Sequence, residues 1–192
     1  MEELKLLIKN ELGFLPKGDG LDRLLARGEW LELPGRHVLT ETGQKAPDVY
    51  VIKSGILRFS DMNGDKERTF AFALPGSILM NKHSFVMGLP SYYQVEACCP
   101  SLVLRIREQD YWEVVQADLD LAVYMLHYAY GELFYQEYKN SNTHNGRASE
   151  RFEAMLSDRP SIIEKVPQRH IASYLGITPE YYSQLKKRFL RR

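Results

Sequence analysis

The chain is poor in the residues that advertise chemistry. It has two cysteines, Cys98 and Cys99, side by side. Adjacent cysteines exclude a disulfide framework and a CxxC-type zinc knuckle. On an extended strand they face opposite ways, which reads as packing thiols before a redox sensor. The five histidines (37, 83, 127, 144 and 170) include no His-x-His pair. A cupin-like metal enzyme needs convergent His and carboxylate ligands on neighbouring strands, so that alternative has little to stand on. No GxSxG, P-loop or HExxH sequence occurs. Neither charge sign is in excess, with 25 Lys+Arg against 25 Asp+Glu. No run reaches the ~18 apolar residues of a membrane span, and the start, Met-Glu-Glu-Leu-Lys, lacks a signal peptide's basic-then-apolar plan. The expectation is a cytoplasmic, non-enzymatic protein with no metal, no cofactor and no membrane. What is present supports a real core: 192 residues, 44% hydrophobic and 26% charged.

Periodicity divides the chain. Leu4, Leu7, Ile8 and Leu12 have helical spacing, and a second short helix is expected at 21–27. From Trp30 to Ile106 the text becomes short runs rich in Val, Ile, Tyr and Phe: 30–33, 38–40, 49–60, 68–73, 93–97 and 102–106. Pro34-Gly35, Asn63-Gly64 and Pro75-Gly76 punctuate them, and Asn63-Gly64 predicts a type I′ hairpin turn. Six or more such strands predict an antiparallel sandwich or barrel. A short helix follows at 110–115, then a long one at 118–140 with a single glycine, Gly131. Leu119, Ala122, Leu126, Ala129 and Leu133 alternate three and four apart along it, a coiled-coil-like seam. Tyrosines and Phe134 occupy its other faces. A helix apolar on several sides needs more than one partner, the strand domain for one face and a second copy of the same helix for the other. The polar run 140–146 is the expected domain boundary. This gives three units: 1–116, 117–140 and 147–192.

The last unit carries the most specific pattern. After an amphipathic helix at 147–158, closed by Arg159-Pro160, comes a helix with Ile171, Ala172 and Leu175 on its inner side. Gly176 ends it where a left-handed backbone is needed. Ile177 plugs the gap, Thr178 is an N-cap, Pro179 takes the first helical position and Glu180 favours the positive dipole end. Tyr182 and Leu185 then face inward. This is a helix-turn-helix. From Pro167 to Arg192 there are six basic residues and one acid, +5, so the other 166 residues carry −5. The zero total hides a basic tail that can neutralise phosphates, on an acidic body.

The order of parts resembles the cyclic-AMP receptor/Fnr-type (Crp/Fnr) regulators over nearly the full chain. The residues that carry the resemblance are Ile171-Ala172-Ser173-Tyr174-Leu175-Gly176-Ile177-Thr178-Pro179-Glu180, Val51-Ile52-Lys53-Ser54-Gly55-Ile56-Leu57-Arg58 and Arg147-Ala148-Ser149-Glu150-Arg151-Phe152. The resemblance implies an α+β chain: an N-terminal antiparallel β-roll (a double-stranded jelly roll like cyclic-nucleotide-binding domains), a long dimerisation helix and a C-terminal helix-turn-helix. It implies a homodimer on double-stranded DNA, recognition helices in successive major grooves, with RNA polymerase a further partner to consider. By position it implies base reading by Pro179, Glu180 and Gln184. Glu180 can accept from cytosine N4 and Gln184 can bracket adenine. Tyr181 and Ser183 are in reach of bases or phosphates. Arg169, Thr178, Lys187 and Arg188 are candidates for phosphate contacts.

The sequence also departs from the family. Nucleotide-binding members carry Gly-Glu and, further on, Arg-Ser/Thr, because Arg neutralises the cyclic phosphate and Glu holds the ribose. Here Met80-Asn81 and Ser91-Tyr92 stand at those places, and no Arg or Lys lies between His83 and Leu104. Cyclic AMP is therefore not expected as effector. Met80, His83, Tyr92 and Tyr93, with Phe85, are candidates to line an apolar pocket against Tyr124, His127 and Tyr128, suited to an uncharged or aromatic effector or simply filled by these side chains. Two adjacent cysteines cannot supply an iron–sulfur site, and haem ligation would rest on a lone His83 or His127. Only Phe189-Leu190-Arg191-Arg192 follow Arg188, so no C-terminal wing is expected. The segment 147–192 is small for an independent core and should lean on the long helix or the β-roll. A remaining alternative is an interaction module whose helix-turn-helix does not bind DNA.

Overall fold

The computed structural model describes residues 1–145 and 147–190. Gly146 in the expected boundary, and Arg191 and Arg192 of the basic tail, lie outside the described residues. Two helices, α1 (Glu2–Leu12) and α2 (Gly20–Ala26), precede the strands β1 (Glu29–Leu33), β2 (Val38–Thr40), β3 (Val49–Ser54), β4 (Leu57–Asn63), β5 (Lys66–Ala73) and β6 (Ile78–Met80). A short α3 (Lys82–Met87) separates these from β7 (Gln94–Ala97) and β8 (Ser101–Ile106). Then come α4 (Glu108–Gln116), α5 (Leu119–Asn145), α6 (Ala148–Asp158), α7 (Pro160–Lys165), α8 (Gln168–Leu175) and α9 (Pro179–Leu190).

The strands form two antiparallel four-stranded sheets, ordered β1-β8-β3-β6 and β2-β7-β4-β5. Their inward faces meet through Tyr50, Ile52, Leu57, Leu79, Val95 and Val103, an antiparallel roll. A second cluster lies on the other side of the first sheet, where Val49, Val51 and Leu104 pack against Leu4, Ile8, Leu24, Tyr111, Leu121 and Tyr124. This cluster seats the start of α5 on the roll.

Several local features differ from the sequence expectation, each for a backbone reason. The run 49–60 is two strands, because Gly55 takes φ 91° between them. A Cβ there would lie 2.0 Å from Ser101 Oγ. In the β4–β5 hairpin Asn63 pairs with Lys66, so the turn residues are Gly64 and Asp65. Only Gly64 of the two has positive φ, the Gly-first pattern of a type II′ turn, not type I′. Pro160 does not merely close α6: it opens α7 at the first helical position. The long helix does not stop at 140; it continues through the polar run to Asn145, 27 residues in all. Extending an existing helix gains one hydrogen bond per residue, which outweighs the weak propensity of Asn, Ser and Thr.

Candidate nucleic-acid interface and effector cleft

The turn between α8 and α9 forms as its residues dictate. Gly176 adopts φ 65°, and its amide reaches back to the carbonyls of Ala172 and Ser173. Thr178 Oγ1 accepts from the Tyr181 amide at 3.2 Å, capping α9. Ile171, Ala172, Leu175, Tyr182 and Leu185 are buried together with Phe152, Ile162, Ile163 and Val166. That packing fixes which side of α9 faces out. Thr178, Pro179, Glu180, Tyr181, Gln184, Lys187 and Arg188 are exposed, as is Arg169 on α8, while Ser183 is half-buried beside Gln168. A backbone amide at the start of α9 and the Thr178 hydroxyl hold the Glu180 carboxyl below its ordinary range.

This unit is not free of the roll. Its apolar cluster includes Phe72 on the outer face of β5, with Ile56 just before β4 and Leu74 just after β5. The Phe72 and Tyr174 rings lie 5.2 Å apart. The Thr69 amide, on edge strand β5, donates to Ser173 Oγ at 2.9 Å. Beneath α8 sits Arg58, 3% exposed. It donates to Glu96 from Nε at 2.9 Å and from Nη2 at 2.5 Å, to Glu67 at 2.7 Å and to Thr69 Oγ1 at 3.3 Å. Burial opposes its charge, and the two carboxylates outweigh burial. His170, 5% exposed, packs over this network. Burial, then Arg58 and Arg169, lower its pKa to about 4. It is thus neutral at pH 7, and its Nε2 accepts from Arg169 Nε at 3.2 Å.

The long helix presents two apolar faces. Leu121, Tyr124 and Met125 are buried against the roll, with Tyr128 partly buried. Leu119, Leu126 and Leu133 stand 80%, 52% and 59% exposed. Ala122 is half-buried and Ala129 exposed. Val123, Tyr130 and Phe134, absent from the expected seam, widen the exposed stripe.

Between α5, β5–β6 and the end of α8 lies a cleft of about 940 Å³. Met80, Tyr92, Tyr93 and Tyr128 line it, as expected. Phe59 and Phe70, which sequence reasoning missed, line it too. The structure does not bring Tyr124, His127 or His83 to it. Tyr124 lies one turn earlier on α5, buried edge-on to Phe14 at 5.2 Å. Rotation of 100° per residue carries His127 off the inward face, where its ring donates to the Val123 carbonyl at 2.8 Å. His83 is bonded to the Pro90 carbonyl at 2.6 Å. Phe85 stacks on Trp112 instead, at 5.1 Å.

The segments aligned with the nucleotide cassette meet each other. Asn81 caps α3 by accepting from the Ser84 amide at 3.1 Å, and its Nδ2 donates to Ser91 Oγ at 2.5 Å. Both are 2% exposed. Burial raises the Cys98 thiol pKa to about 12. Among the described residues no three His, Cys, Asp or Glu side chains converge as a metal would require, and no helix is long and apolar enough to cross a membrane.

Residues 30–118 match the family model of the cyclic nucleotide-binding domain. No curated protein matches the sequence. Solved structures share the fold. FixK2 from Bradyrhizobium japonicum aligns with TM-score 0.72 at 19% identity, covering 85% of each chain. The c-di-GMP-responsive global regulator CLP of Xanthomonas campestris aligns with TM-score 0.67 at 17% identity, covering 90% of this chain and 91% of that one. The Thermus thermophilus catabolite activator protein aligns with TM-score 0.59 at 16% identity over 94% and 86%. These neighbours are Crp/Fnr-type regulators, and the fold, a β-roll with C-terminal helices, is theirs.

Proposed function

We propose that the chain is a homodimeric, DNA-binding transcriptional regulator that does not respond to cyclic AMP. The observation that carries this reading is the exposed side of α9. Glu180, Tyr181 and Gln184 lie on its first half and Lys187 and Arg188 on its second, the order in which a recognition helix meets base edges and then phosphates. The exposed stripe of α5 supports a second copy as partner, because a soluble chain rarely leaves so long an apolar row uncovered. Two copies joined there hold two α9 helices at a fixed separation, as a two-fold-symmetric site on duplex DNA requires.

The cassette positions support independence from cyclic AMP. A cyclic phosphate needs a cation at hydrogen-bond distance. Ser91 stands in the place of that cation, neutral and bonded to Asn81, which stands in the place of the ribose-binding Glu.

Fluorescence anisotropy on duplex DNA tests the reading. Affinity should fall with salt, log against log, by about 0.9 per phosphate contact. Replacing Lys186, Lys187 and Arg188 with Gln should flatten that slope by roughly two to three. No measurable binding to any duplex at low salt would end the reading. Loss of a protein partner, with DNA binding intact, would favour an interaction module.

A further inference from the structure

Tyr124, Tyr128, residue 131 and Tyr135 form one row along α5, spaced four, three and four apart; Tyr124 is buried and Tyr128 half-buried, while 131 and Tyr135 are exposed along the cleft. Large rings are the rule on this stripe, yet position 131 is glycine. Glycine disfavours a helix interior, so its presence calls for a steric cause. Close packing is not the cause: among the described residues, a Cβ on Gly131 would meet nothing within 4 Å. The glycine instead borders the cleft. It leaves open a volume that any other residue of the stripe would fill.

Rings form the opposite wall. Phe59, Phe70 and Tyr93 pack on one another with centroids 5.6–6.0 Å apart, and Tyr92 adds a ring 5.0 Å from Tyr93. Burial raises the Tyr93 phenol, so it stays neutral. Tyr128, across the cleft, donates its hydroxyl to the Ile78 carbonyl.

Each cation at the rim already has a partner. Arg68 holds Asp61 at 2.6 Å, Lys82 holds Glu132 at 3.5 Å and Arg159 holds Glu11 at 3.8 Å. Arg151 donates to the Leu175 carbonyl at 2.8 Å. The carboxylates beside Arg68, Lys82 and Arg159 offset most of the rim's positive charge, so an anionic ligand gains little from it. A flat neutral ring needs no such charge and can stack on the aromatic wall.

We infer that the cleft beside Gly131 is a binding site for an uncharged, planar, multi-ring aromatic molecule, with Gly131 providing its room and the Phe59–Phe70–Tyr93 cluster its stacking surface. The cleft, about 940 Å³ and open along one side, has room for several fused or linked rings. Ser173 to Gly176, at the end of α8, line the far side, so an occupant would touch the roll and the helix-turn-helix at once. The inference deepens the regulator reading by naming the ligand class, and it rests on that reading only for what the ligand would control.

The test uses the full chain and the neutral fluorescent probe N-phenyl-1-naphthylamine, with Gly131→Ala and Gly131→Leu as variants. Both substitutions favour helix, and neither lies on the exposed stripe of α5, so melting temperatures should hold or rise. The wild type should bind one probe per chain, saturably, and cyclic AMP should not displace it. Affinity should change little in Gly131→Ala and weaken by about tenfold or more in Gly131→Leu. Absence of saturable binding, unchanged affinity in a folded Gly131→Leu chain, or displacement by cyclic AMP would each overturn the inference. DNA affinity of the same variants is read separately, so failure of the ligand site and failure of the regulator reading leave different records.

Discussion

Two apolar surfaces of this chain began as equals and ended differently. The outer face of β5, with Phe72 and the flanking Ile56 and Leu74, is covered by the helix-turn-helix of the same chain. The outer stripe of α5, with Leu119, Leu126 and Leu133, is exposed. Burying a leucine is worth ~1.5–3 kcal/mol wherever it happens. What distinguishes the two is the source of the cover. An edge strand has unpaired backbone amides as well as apolar side chains, and α8 answers both, through Tyr174 on Phe72 and Ser173 on the Thr69 amide. A helix has no spare backbone groups along its side, so its stripe needs only another apolar stripe, such as its own copy.

The comparison breaks first at Phe72. If its face belongs to the folded core, Phe72→Ala should cost about 3–4 kcal/mol in urea unfolding, independent of protein concentration. A cost that vanishes at high concentration would make it an intermolecular surface too. Next is Leu126→Glu. It should leave single-chain stability nearly unchanged and, if the proposed dimer forms through this stripe, weaken it by about 3 kcal/mol, since both copies lose the contact. Sedimentation would show this as a dissociation constant more than about 100-fold higher. A large loss of single-chain stability would move this stripe into the core.

His170 sharpens the comparison from the covered side. Arg58 on β4, Glu67 on β5, Glu96 on β7 and Arg169 on its own helix face it. Its folded pKa is about 4 against 6.5 ordinarily. Between those values the unfolded chain takes up a proton that the folded chain refuses. Stability should therefore fall as pH drops from about 6.5, level off near 4 and lose roughly 2–3 kcal/mol on the way. Melting curves across that range should be flatter in His170→Gln. Equal slopes would mean that the imidazole is not held neutral under α8.

The two surfaces also differ in how they read from sequence. The α5 stripe was legible because a helix writes its faces locally, at spacings of three and four. So were α8, the Gly176 turn and the Thr178 cap, which local chemistry decides. The covered face of β5 left a subtler mark. Phe70-Ala71-Phe72-Ala73-Leu74 is apolar at every position, where a strand with one wet face would alternate. That run signals two buried faces, with Phe70 on the cleft wall and Phe72 in the seat of α8. It cannot name the second partner, since Thr69 and Ser173 meet across 104 residues. Of the shortest elements, β2 was legible from its Val and Thr, whereas β6, with three residues, and α3, with six, left no period to read.

The smallest expected effect tests the backbone half of the argument. Ser173→Ala removes the acceptor of the Thr69 amide and leaves every ring of the contact in place. An amide without a partner beneath a helix should cost about 1–2 kcal/mol, and hydrogen exchange at Thr69 should speed up. If exchange there stays slow, apolar burial alone holds α8 to the roll, and the covered face would be held by the same apolar contact as the open one. If exchange quickens while Phe72 stays protected, the edge amide is a separate fastening that α5 has no means to copy.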